Sequence, residues 1–326
     1  MKRQRCFFLI LFIVASLCGC SRKADVVGTN TSGAWVEVSG MTSFRNIVAN
    51  GSELYASGSG IERSTDNGMT WAVANSSIGH GDGAVAVLAG SIFSGNFQRS
   101  GVSLSSDSGA TWVGRNSGLP GQNGDYPAIW CFAVNGTDLL MGTIGNGVLR
   151  TGDQGVHWTS VNDGIRASNV YCMAASGSNV LAGTELGIYR STDGGTSWVP
   201  SDSGLATSLY YPAQVPLVTS LATVGTNVFA GTGDGKVFLS TDYGLSWSNV
   251  SRNLPPYPES SVSLAASDLC LFLSYDAGIF ASTNNGSSWN SIVDNLPSQF
   301  NKGGLIAVAG GNLFVTLGSG VWRRAL

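Results

Sequence analysis

Short apolar runs separated by polar turns recur along the chain from about residue 34 to the C-terminus. The clearest copy reads NVYCMAASG, NVLAGT and GIYRSTD, followed by a strand that opens with Trp198. Alternating or wholly apolar runs of this length predict β-strands, and the Gly-Ser and Gly-Thr pairs between them predict hairpins. Equivalent triplets occur six more times, so the sequence predicts an all-β chain with few helices.

The turn before each fourth strand carries the most regular motif, which combines a hydroxyl residue, an Asp or Asn, a Gly and a Trp at fixed spacing. Its six copies contain Asp66, Gly68 and Trp71; Asp107, Gly109 and Trp112; Asp153, Gly155 and Trp158; Asp193, Gly195 and Trp198; Asp242, Gly244 and Trp247; and Asn284, Gly286 and Trp289. The carboxylate can accept backbone N–H groups, the glycine supplies a positive φ, and the Trp buries a large ring. Asn284 keeps the acceptor oxygen but loses the charge, which favours a structural role over a catalytic one.

The spacing of the tryptophans sets the number of repeats. Trp35 and the six motif tryptophans are separated by 36, 41, 46, 40, 49 and 42 residues, which suits four short strands per repeat. The chain begins with a lone fourth strand after Trp35 and ends after a third strand. Pairing these two ends predicts a seven-bladed β-propeller of four-stranded antiparallel blades over residues 34–326. The alternatives are a six- or eight-bladed ring and an open solenoid.

The six turns resemble the Asp-box, or BNR, repeat of sialidases and related β-propellers. Sialidases use an arginine triad, a Tyr–Glu pair and an Asp on six blades. This chain has seven repeats and no Arg-Ile-Pro motif, so the resemblance carries no catalytic residue. Similar boxes occur in xyloglucan hydrolases, which clamp substrate between two propellers, and in photosystem II assembly factors, which hold protein partners. The latter likeness implies the fold and a scaffold role, but no particular partner.

The N-terminus has the pattern of an export signal. Lys2, Arg3 and Arg5 precede an apolar run that ends in Leu17-Cys18-Gly19-Cys20. This ending resembles a bacterial lipobox and implies cleavage after residue 19 and lipidation of Cys20; an ordinary signal peptide or a short anchor is the alternative. Residues 20–33 then form a polar tether. We expect a lipid-anchored, extracytoplasmic protein of the bacterial cell envelope.

Charge and residue usage exclude several classes of function. The chain has 17 basic and 20 acidic residues, and removal of residues 1–19 leaves a net charge of −6, so nucleic-acid binding is not expected. The two histidines, His80 and His157, belong to no metal-ligand or catalytic motif, and we expect no cofactor, no metal and a monomeric protein. Cys131, Cys172 and Cys270 are predicted to be buried thiols, although a Cys131–Cys172 disulfide is an alternative.

Ligands of propellers usually bind the face formed by the fourth-to-first and second-to-third connections. The residues predicted to bind a ligand there are Arg45, Arg99, Tyr126, Trp130, Arg166, Tyr210, Tyr211, Tyr257 and Tyr275. The carboxylates that would serve a glycoside hydrolase are Asp82, Asp125, Glu185, Asp234, Glu259 and Asp276. The sequence favours a non-catalytic platform for a protein or glycan. A glycoside hydrolase and a purely structural envelope component are the alternatives.

Overall fold

The fold is a ring of seven antiparallel sheets. The computed structural model describes residues 33–58, 60–75, 83–121, 125–205, 215–256, 260–297, 303–318 and 320–326. These residues form 28 strands in seven four-stranded sheets, and they contain no helix. The predicted seven-bladed β-propeller is therefore confirmed. Within these ranges no helix is long and apolar enough to cross a membrane.

Each blade contains four strands, which we give from the central channel to the rim. Blade 1 comprises β2 (Asn46–Asn50), β3 (Glu53–Ser57), β4 (Ile61–Ser64) and β5 (Ala72–Asn75). Blade 2 comprises β6 (Ala84–Leu88), β7 (Ser91–Gly95), β8 (Val102–Ser105) and β9 (Val113–Gly114). Blade 3 comprises β10 (Ala128–Asn135), β11 (Asp138–Ile144), β12 (Val148–Thr151) and β13 (Thr159–Ser160). Blade 4 comprises β14 (Val170–Ser176), β15 (Asn179–Thr184), β16 (Gly187–Ser191) and β17 (Val199–Pro200).

The remaining blades follow the same order. Blade 5 comprises β18 (Val218–Val224), β19 (Asn227–Thr232), β20 (Val237–Ser240) and β21 (Ser248–Asn249). Blade 6 comprises β22 (Ser263–Ala266), β23 (Leu271–Tyr275), β24 (Gly278–Ser282) and β25 (Asn290–Ser291). Blade 7 comprises β26 (Ile306–Ala309), β27 (Asn312–Leu317), β28 (Gly320–Ala325) and, from the other end of the described chain, β1 (Val36–Glu37).

The two ends of the ring close as predicted. Strand β1 pairs antiparallel with β28, so that Val36 lies opposite Arg323 and Glu37 opposite Trp322. The Val38 N–H extends this ladder by donating to the Val321 carbonyl at 2.9 Å. Trp35 is buried, and its indole Nε1 donates to the carbonyl of Ile292 in blade 6 at 2.7 Å. Strand β1 therefore completes blade 7, and the neighbouring Trp35 joins it to blade 6.

The six motif turns share one hydrogen-bond network, which the turn of blade 4 illustrates. The Ser191 hydroxyl donates to Asp193 Oδ1 at 2.7 Å and accepts the N–H of Gly195 at 2.8 Å. Asp193 Oδ1 accepts the N–H of Ser197 at 2.9 Å, and Oδ2 accepts the Ser197 hydroxyl at 2.6 Å. In blade 6 the Asn284 amide donates to the Ser288 hydroxyl at 2.8 Å instead. The amide therefore preserves the network by reversing the direction of one bond.

Two successive residues of each turn have positive φ, whereas the sequence pattern predicts only the glycine. Gly244 has φ 89°, and Tyr243 before it has φ 56°. A left-handed conformation at a non-glycine residue costs roughly 1–2 kcal/mol. The bonds to the Asp or Asn offset this cost, since they hold the backbone on both sides of the strained residue.

Blades 2 to 5 lie close to the blade that follows each of them because their second strands carry a glycine where they meet the next first strand. A Cβ on Gly183 would lie 2.4 Å from Cys172 Sγ and 2.7 Å from a Val218 methyl carbon of blade 5. Gly142 and Gly231 occupy the equivalent positions of blades 3 and 5, where a Cβ would lie 2.7 and 2.6 Å from a valine of the following blade. Glycine at this position therefore sets the spacing between blades.

We predict that Gly183→Ala destabilises the protein by about 1–3 kcal/mol, because the added methyl group overpacks the contact between blades 4 and 5. Gly60→Ala is the matched control, since a Cβ there would meet no atom within 4 Å. Urea unfolding measures both variants. Equal stabilities would contradict the proposed packing constraint.

The turn carboxylates give stability a pH dependence. The pKa values of Asp66, Asp107 and Asp242 fall to about 2, chiefly because the hydroxyl four residues later donates to each carboxylate. The pKa of Asp153 also falls to about 2, chiefly because the backbone N–H of His157 donates to it. A carboxylate whose pKa is lower in the folded than in the unfolded chain stabilises the fold above about pH 4 and loses that effect toward pH 2.

We predict that Asp107→Asn folds at pH 7 and loses less stability than the wild type between pH 4 and pH 2. The variant reproduces the Asn turn of blade 6, which lacks a titrating carboxylate. Asn284→Asp should lose more stability over the same range. Urea unfolding at several pH values tests both variants, and identical pH profiles for all three proteins would contradict the assignment.

Candidate functional site

The first strands of the seven blades surround a central channel that opens on the predicted ligand face. At this mouth lies a cavity of about 690 Å³, to which residues at or near the start of each inner strand contribute. Its wall is asymmetric. Blades 3 and 4 contribute Trp130, Phe132 and Tyr171, whereas the residues that precede β26 in blade 7 include Gly303 and Gly304.

Backbone irregularities in three consecutive blades coincide with the mouth residues. The pairing of β10 with β11 shifts between Ile129 and Cys131, which leaves Trp130 as an extra residue. The same shift in β14 and β18 leaves Tyr171 and Thr219 unpaired. A β-bulge re-aims a side chain, and bulges are common at the rims of barrels and beside functional sites. All three bulge residues line the mouth.

Trp130 lies at the centre of an aromatic and cationic cluster, which we call the mouth cluster: Arg45, Phe97, Trp130 and Tyr171. The Trp130 ring packs edge to face against Phe97 and Tyr171, with centroid distances of 5.1 and 5.7 Å. The Arg45 guanidinium lies over the Trp130 ring at 4.3 Å and over Phe97 at 5.1 Å. All four side chains are half-buried, so the cluster is preformed and still accessible.

The ionisation of Tyr171 is shifted by its surroundings. Burial raises the pKa of Tyr171, and the negative charge of Glu185 raises it further. Its hydroxyl therefore stays protonated at neutral pH and is available as a hydrogen-bond donor.

The rim of the mouth is apolar on the side of blades 5 and 7. Leu217 and Leu305 directly precede β18 and β26, and they are 37% and 42% exposed. The lining of the mouth therefore combines exposed leucines with the polar side chains of Thr219, Ser220 and Ser261, and ligand sites are commonly built from such a mixture.

Arg99 and Asp125, both predicted for this face, form an exposed ion pair. The Arg99 guanidinium contacts both carboxylate oxygens of Asp125 at 3.2 Å, and the Tyr126 N–H donates to the Arg99 carbonyl at 2.9 Å. Tyr126 is half-buried against the core between blades 2 and 3, while Arg166 is exposed. None of these four residues lines the mouth cavity.

Two of the described candidate carboxylates are held by structural partners. Glu185 accepts the backbone N–H groups of Ser168 and Asn169 at 3.1 to 3.2 Å. Asp234 accepts Lys236 Nζ at 2.7 Å and the Thr232 hydroxyl at 2.6 Å, and its side chain is only 6% exposed. These bonds fix two loops of the face. For Asp276, the backbone N–H donates to the Ser260 hydroxyl at 2.9 Å.

Tyr275 is a core residue and not a surface residue, which corrects its placement on the ligand-binding face. Its ring is 2% exposed, and its hydroxyl donates to the Pro255 carbonyl at 2.7 Å. Burial raises the pKa of Tyr275 to about 12. Strand β23 places its side chain in the apolar contact with blade 5 because alternate residues of a strand point to opposite faces.

The remaining predicted site residues lie outside the described residues. They are Cys20, Asp82, Tyr210, Tyr211, Tyr257 and Glu259, and His80 lies outside the described residues as well. His157 lies in the turn of blade 3, where Nδ1 contacts Asp153 Oδ2 at 2.8 Å.

The three described cysteines are free thiols, as the sequence favoured. Burial raises the pKa of Cys131 to about 12 and of Cys270 to about 11. The sulfurs of Cys131 and Cys172 each face the following blade. Cys172 Sγ lies 3.7 Å from the Val218 carbonyl, and Cys131 packs beside Gly142 and Val170. They therefore occupy successive blade interfaces.

No group of three His, Cys, Asp or Glu side chains with metal-binding geometry occurs in the part of the chain that the structure describes.

Several residues of the mouth were not predicted from the sequence, and they include Phe97, Tyr171, Leu217 and Leu305. For Tyr171 a signal exists, because VYC in blade 4 aligns with IWC in blade 3, and so Tyr171 occupies the position of Trp130. The other three lie in connections of variable length, where the repeat provides no alignment.

Comparison with solved structures places the fold among known propellers. No family model and no curated protein matches the sequence. The chain is similar to the extracellular domain of BT4673 from B. thetaiotaomicron, a protein described as a hybrid two-component system. The identity is 14% and the TM-score 0.66, and the match covers 90% of this chain and 40% of that one. It is similar to the GH74 xyloglucanase of Xanthomonas campestris, with 16% identity, a TM-score of 0.66, and 90% and 54% coverage.

The likeness extends over nearly the whole of a third protein. YCF48 bound to D1 peptide shares 17% identity and a TM-score of 0.62, with coverage of 90% of this chain and 95% of that one. The chain spans about half or less of the length of the other two proteins. At these identities the comparisons show a shared propeller fold.

Proposed function

We propose that this protein is a non-catalytic binding platform. Its propeller would bind a protein or glycan partner at the mouth of the central channel. The observation that carries this proposal is the mouth cluster. Trp, Tyr and Arg are the residues that most often dominate binding energy at interfaces, especially where they cluster in a packed centre. Arg45, Trp130 and Tyr171 form such a cluster at the inner strands β2, β10 and β14.

The described carboxylates support a binding role better than catalysis. A glycoside hydrolase needs one carboxyl group that can protonate the leaving oxygen and a second that acts as nucleophile or base. Asp125 pairs with Arg99, Glu185 holds two backbone N–H groups, and Asp234 is bound by Lys236 and Thr232. Each of these three already serves the local structure.

A glycoside hydrolase is the second candidate, favoured by the similarity to the xyloglucanase propeller. In that case the catalytic pair would come from Asp82, Asp125, Glu185, Asp234, Glu259 and Asp276. The test is to measure sugar release by the wild type and by Glu185→Gln and Asp234→Asn. Release that occurs in the wild type and is lost in either variant would favour the hydrolase over the binding platform.

We predict that Trp130→Ala weakens partner binding by about tenfold or more, because it removes the central ring of the mouth cluster. The partner is first identified by photo-crosslinking the full chain in cell envelopes and by binding to a glycan array. Tyr243→Asn, in a turn on the opposite face, is the matched control, since Asn285 occupies the equivalent position in blade 6. Equal affinity of both variants and the wild type would contradict a site at the mouth.

Lipidation at Cys20 would place the propeller on an envelope surface. The proposal is supported by the basic start, the apolar run and the Leu-x-Gly-Cys ending. Two or three acyl chains would anchor the protein stably. The similarity to an extracellular domain of B. thetaiotaomicron agrees with an extracytoplasmic location.

We predict that Cys20→Ala abolishes incorporation of radioactive palmitate and moves the protein out of the lipid-modified membrane fraction. Cys18→Ala is the matched control, because it alters the neighbouring cysteine and leaves Cys20 available. Palmitate incorporation that persists in Cys20→Ala would show that Cys20 is not the modified residue.

A further inference from the structure

Arg115 breaks the repeat at the interface between blades 2 and 3. The third residue after a rim tryptophan faces the turn glycine of the next blade. A Cβ on Gly155 would lie 3.2 Å from Arg115 Cβ, and one on Gly286 would lie 2.9 Å from Val250 Cβ. The other blades carry small or apolar side chains at this position, namely Val38, Ala74, Val161, Ser201 and Ile292. Arg115 is therefore the only charged residue among the seven.

The Arg115 side chain has no partner within the part of the chain that the structure describes. Its Nε is buried without a hydrogen bond, as are those of four other described arginines. Each of those four has another contact for its guanidinium, which joins Arg63 to Glu53, Arg190 to Asn179, Arg323 to Met69 and Arg324 to the Ile292 carbonyl. Arg115 has none among the described residues. An unpaired charge that is half-buried is costly, so this position favours an acidic partner from outside the chain.

Arg115 lines an open groove of about 460 Å³ on the face opposite the mouth, between the turns of blades 2 and 3. Leu88 and Val156 form apolar parts of its lining, and Val156 is 43% exposed. In blade 1 the residue equivalent to Leu88 is Asn50, whose amide bridges to the Gly90 carbonyl of blade 2 at 2.9 Å. Leu88 has no amide for such a bridge, and so the groove stays open.

Ala89 brings a further apolar group to this groove at a conformational cost. It has φ 50°, whereas the equivalent residues of five other blades are glycines with φ between 55° and 64°: Gly51, Gly136, Gly177, Gly225 and Gly310. A left-handed conformation is unfavourable for alanine. Strain of this kind is concentrated at ligand-binding and other functional sites, where the surrounding structure maintains it.

We infer that this groove binds a glutamate side chain of a protein partner. The carboxylate accepts hydrogen bonds from the terminal nitrogens of Arg115, and the methylene groups pack against Leu88 and Val156. A charge-assisted contact of two parallel hydrogen bonds is the frequent geometry of an arginine with a carboxylate. This site is separate from the mouth and does not depend on the platform function.

The position of Arg115 favours a side-chain carboxylate over a peptide C-terminus. Its stem packs against Gly155 and its Nε is enclosed, so the carboxylate must reach into the groove. A glutamate side chain can do so while the partner's backbone stays outside, beside the exposed Thr137 and Gln154. A terminal carboxylate would have to bring the backbone itself into the groove. Asp153 lines the same groove, and its negative charge disfavours a phosphate dianion.

The test uses the peptide acetyl-Gly-photoleucine-Glu-Gly-amide, irradiated with the full chain. Mass spectrometry then maps the labelled segments, which are expected to contain the turn between β6 and β7 or the motif turn of blade 3. The same peptide with leucine for photoleucine should displace the probe at a concentration about tenfold lower than its Gln analogue, because only the carboxylate forms charge-assisted hydrogen bonds with Arg115. Acetyl-Gly-Leu with a free C-terminus and a phosphoserine analogue should displace it no better than the Gln peptide.

Arg115→Val tests the assigned cation without a loss of fold. It reproduces Val161 of blade 3, so the variant should resist urea at least as well as the wild type, and it should remove the tenfold preference for Glu over Gln. Lower resistance to urea would contradict an unpaired Arg115. Val156→Asp adds a negative charge to the groove and should weaken displacement about tenfold. Leu245→Asp is its matched control, since Leu245 has the equivalent turn position in blade 5 and is 58% exposed.

Labelling of other segments, or equal displacement by the Glu and Gln peptides, would overturn the inference. So would equal effects of Val156→Asp and Leu245→Asp. Displacement by the free C-terminus as strong as by the Glu peptide would overturn the assignment to a side chain. Trp130→Ala should leave the labelling unchanged, and loss of the label in this variant would place the peptide at the mouth instead.

Discussion

The fold depends on the hydrogen bond by which a rim tryptophan reaches the preceding blade. Trp158, Trp198 and Trp247 each donate Nε1–H at 2.8 Å to the carbonyl three residues after the previous tryptophan. A buried indole N–H requires such a partner. Trp289 and Trp35 repeat the contact at 2.9 and 2.7 Å. Since blades 2 to 6 each supply the acceptor for the next blade, blades 3 to 7 are not complete by themselves, and closure by β1 is part of the same chain of contacts.

The regularity of these contacts is broken around blade 1. There the indole N–H groups of Trp71 and Trp112 donate to the carbonyls of Gly68 and Gly109 in their own turns. The pairing of β4 with β5 also shifts at Glu62, so the outer strand of blade 1 is irregular. Blade 1 contacts both blade 7, which contains the two ends of the described chain, and blade 2.

A second departure from symmetry creates the candidate site. A ring of equal blades would give a channel with equal walls, but the bulges in blades 3, 4 and 5 bring Trp130, Tyr171 and Thr219 to one side of the mouth. Opposite them, blade 7 presents Gly303 and Gly304. Packing by the glycines of the second strands keeps this frame rigid, so the aromatic cluster is already formed without a ligand. These features favour recognition by a preformed surface.

The sequence by itself determined the number of blades, the four-strand order and the closure, because hydrophobic periodicity and turn chemistry are local and repeat in register. It also predicted the bonding role of the turn Asp and the tolerance for Asn284. It did not determine the site. Trp130 was predicted for the ligand face, and in the structure it lies in β10 at the channel mouth. Tyr275 was misplaced because the sequence does not reveal which face of β23 is covered by blade 5. Arg45, Phe97, Trp130 and Tyr171 become one cluster only when blades 1 to 4, with the bulges in blades 3 and 4, bring together residues that are distant in the chain.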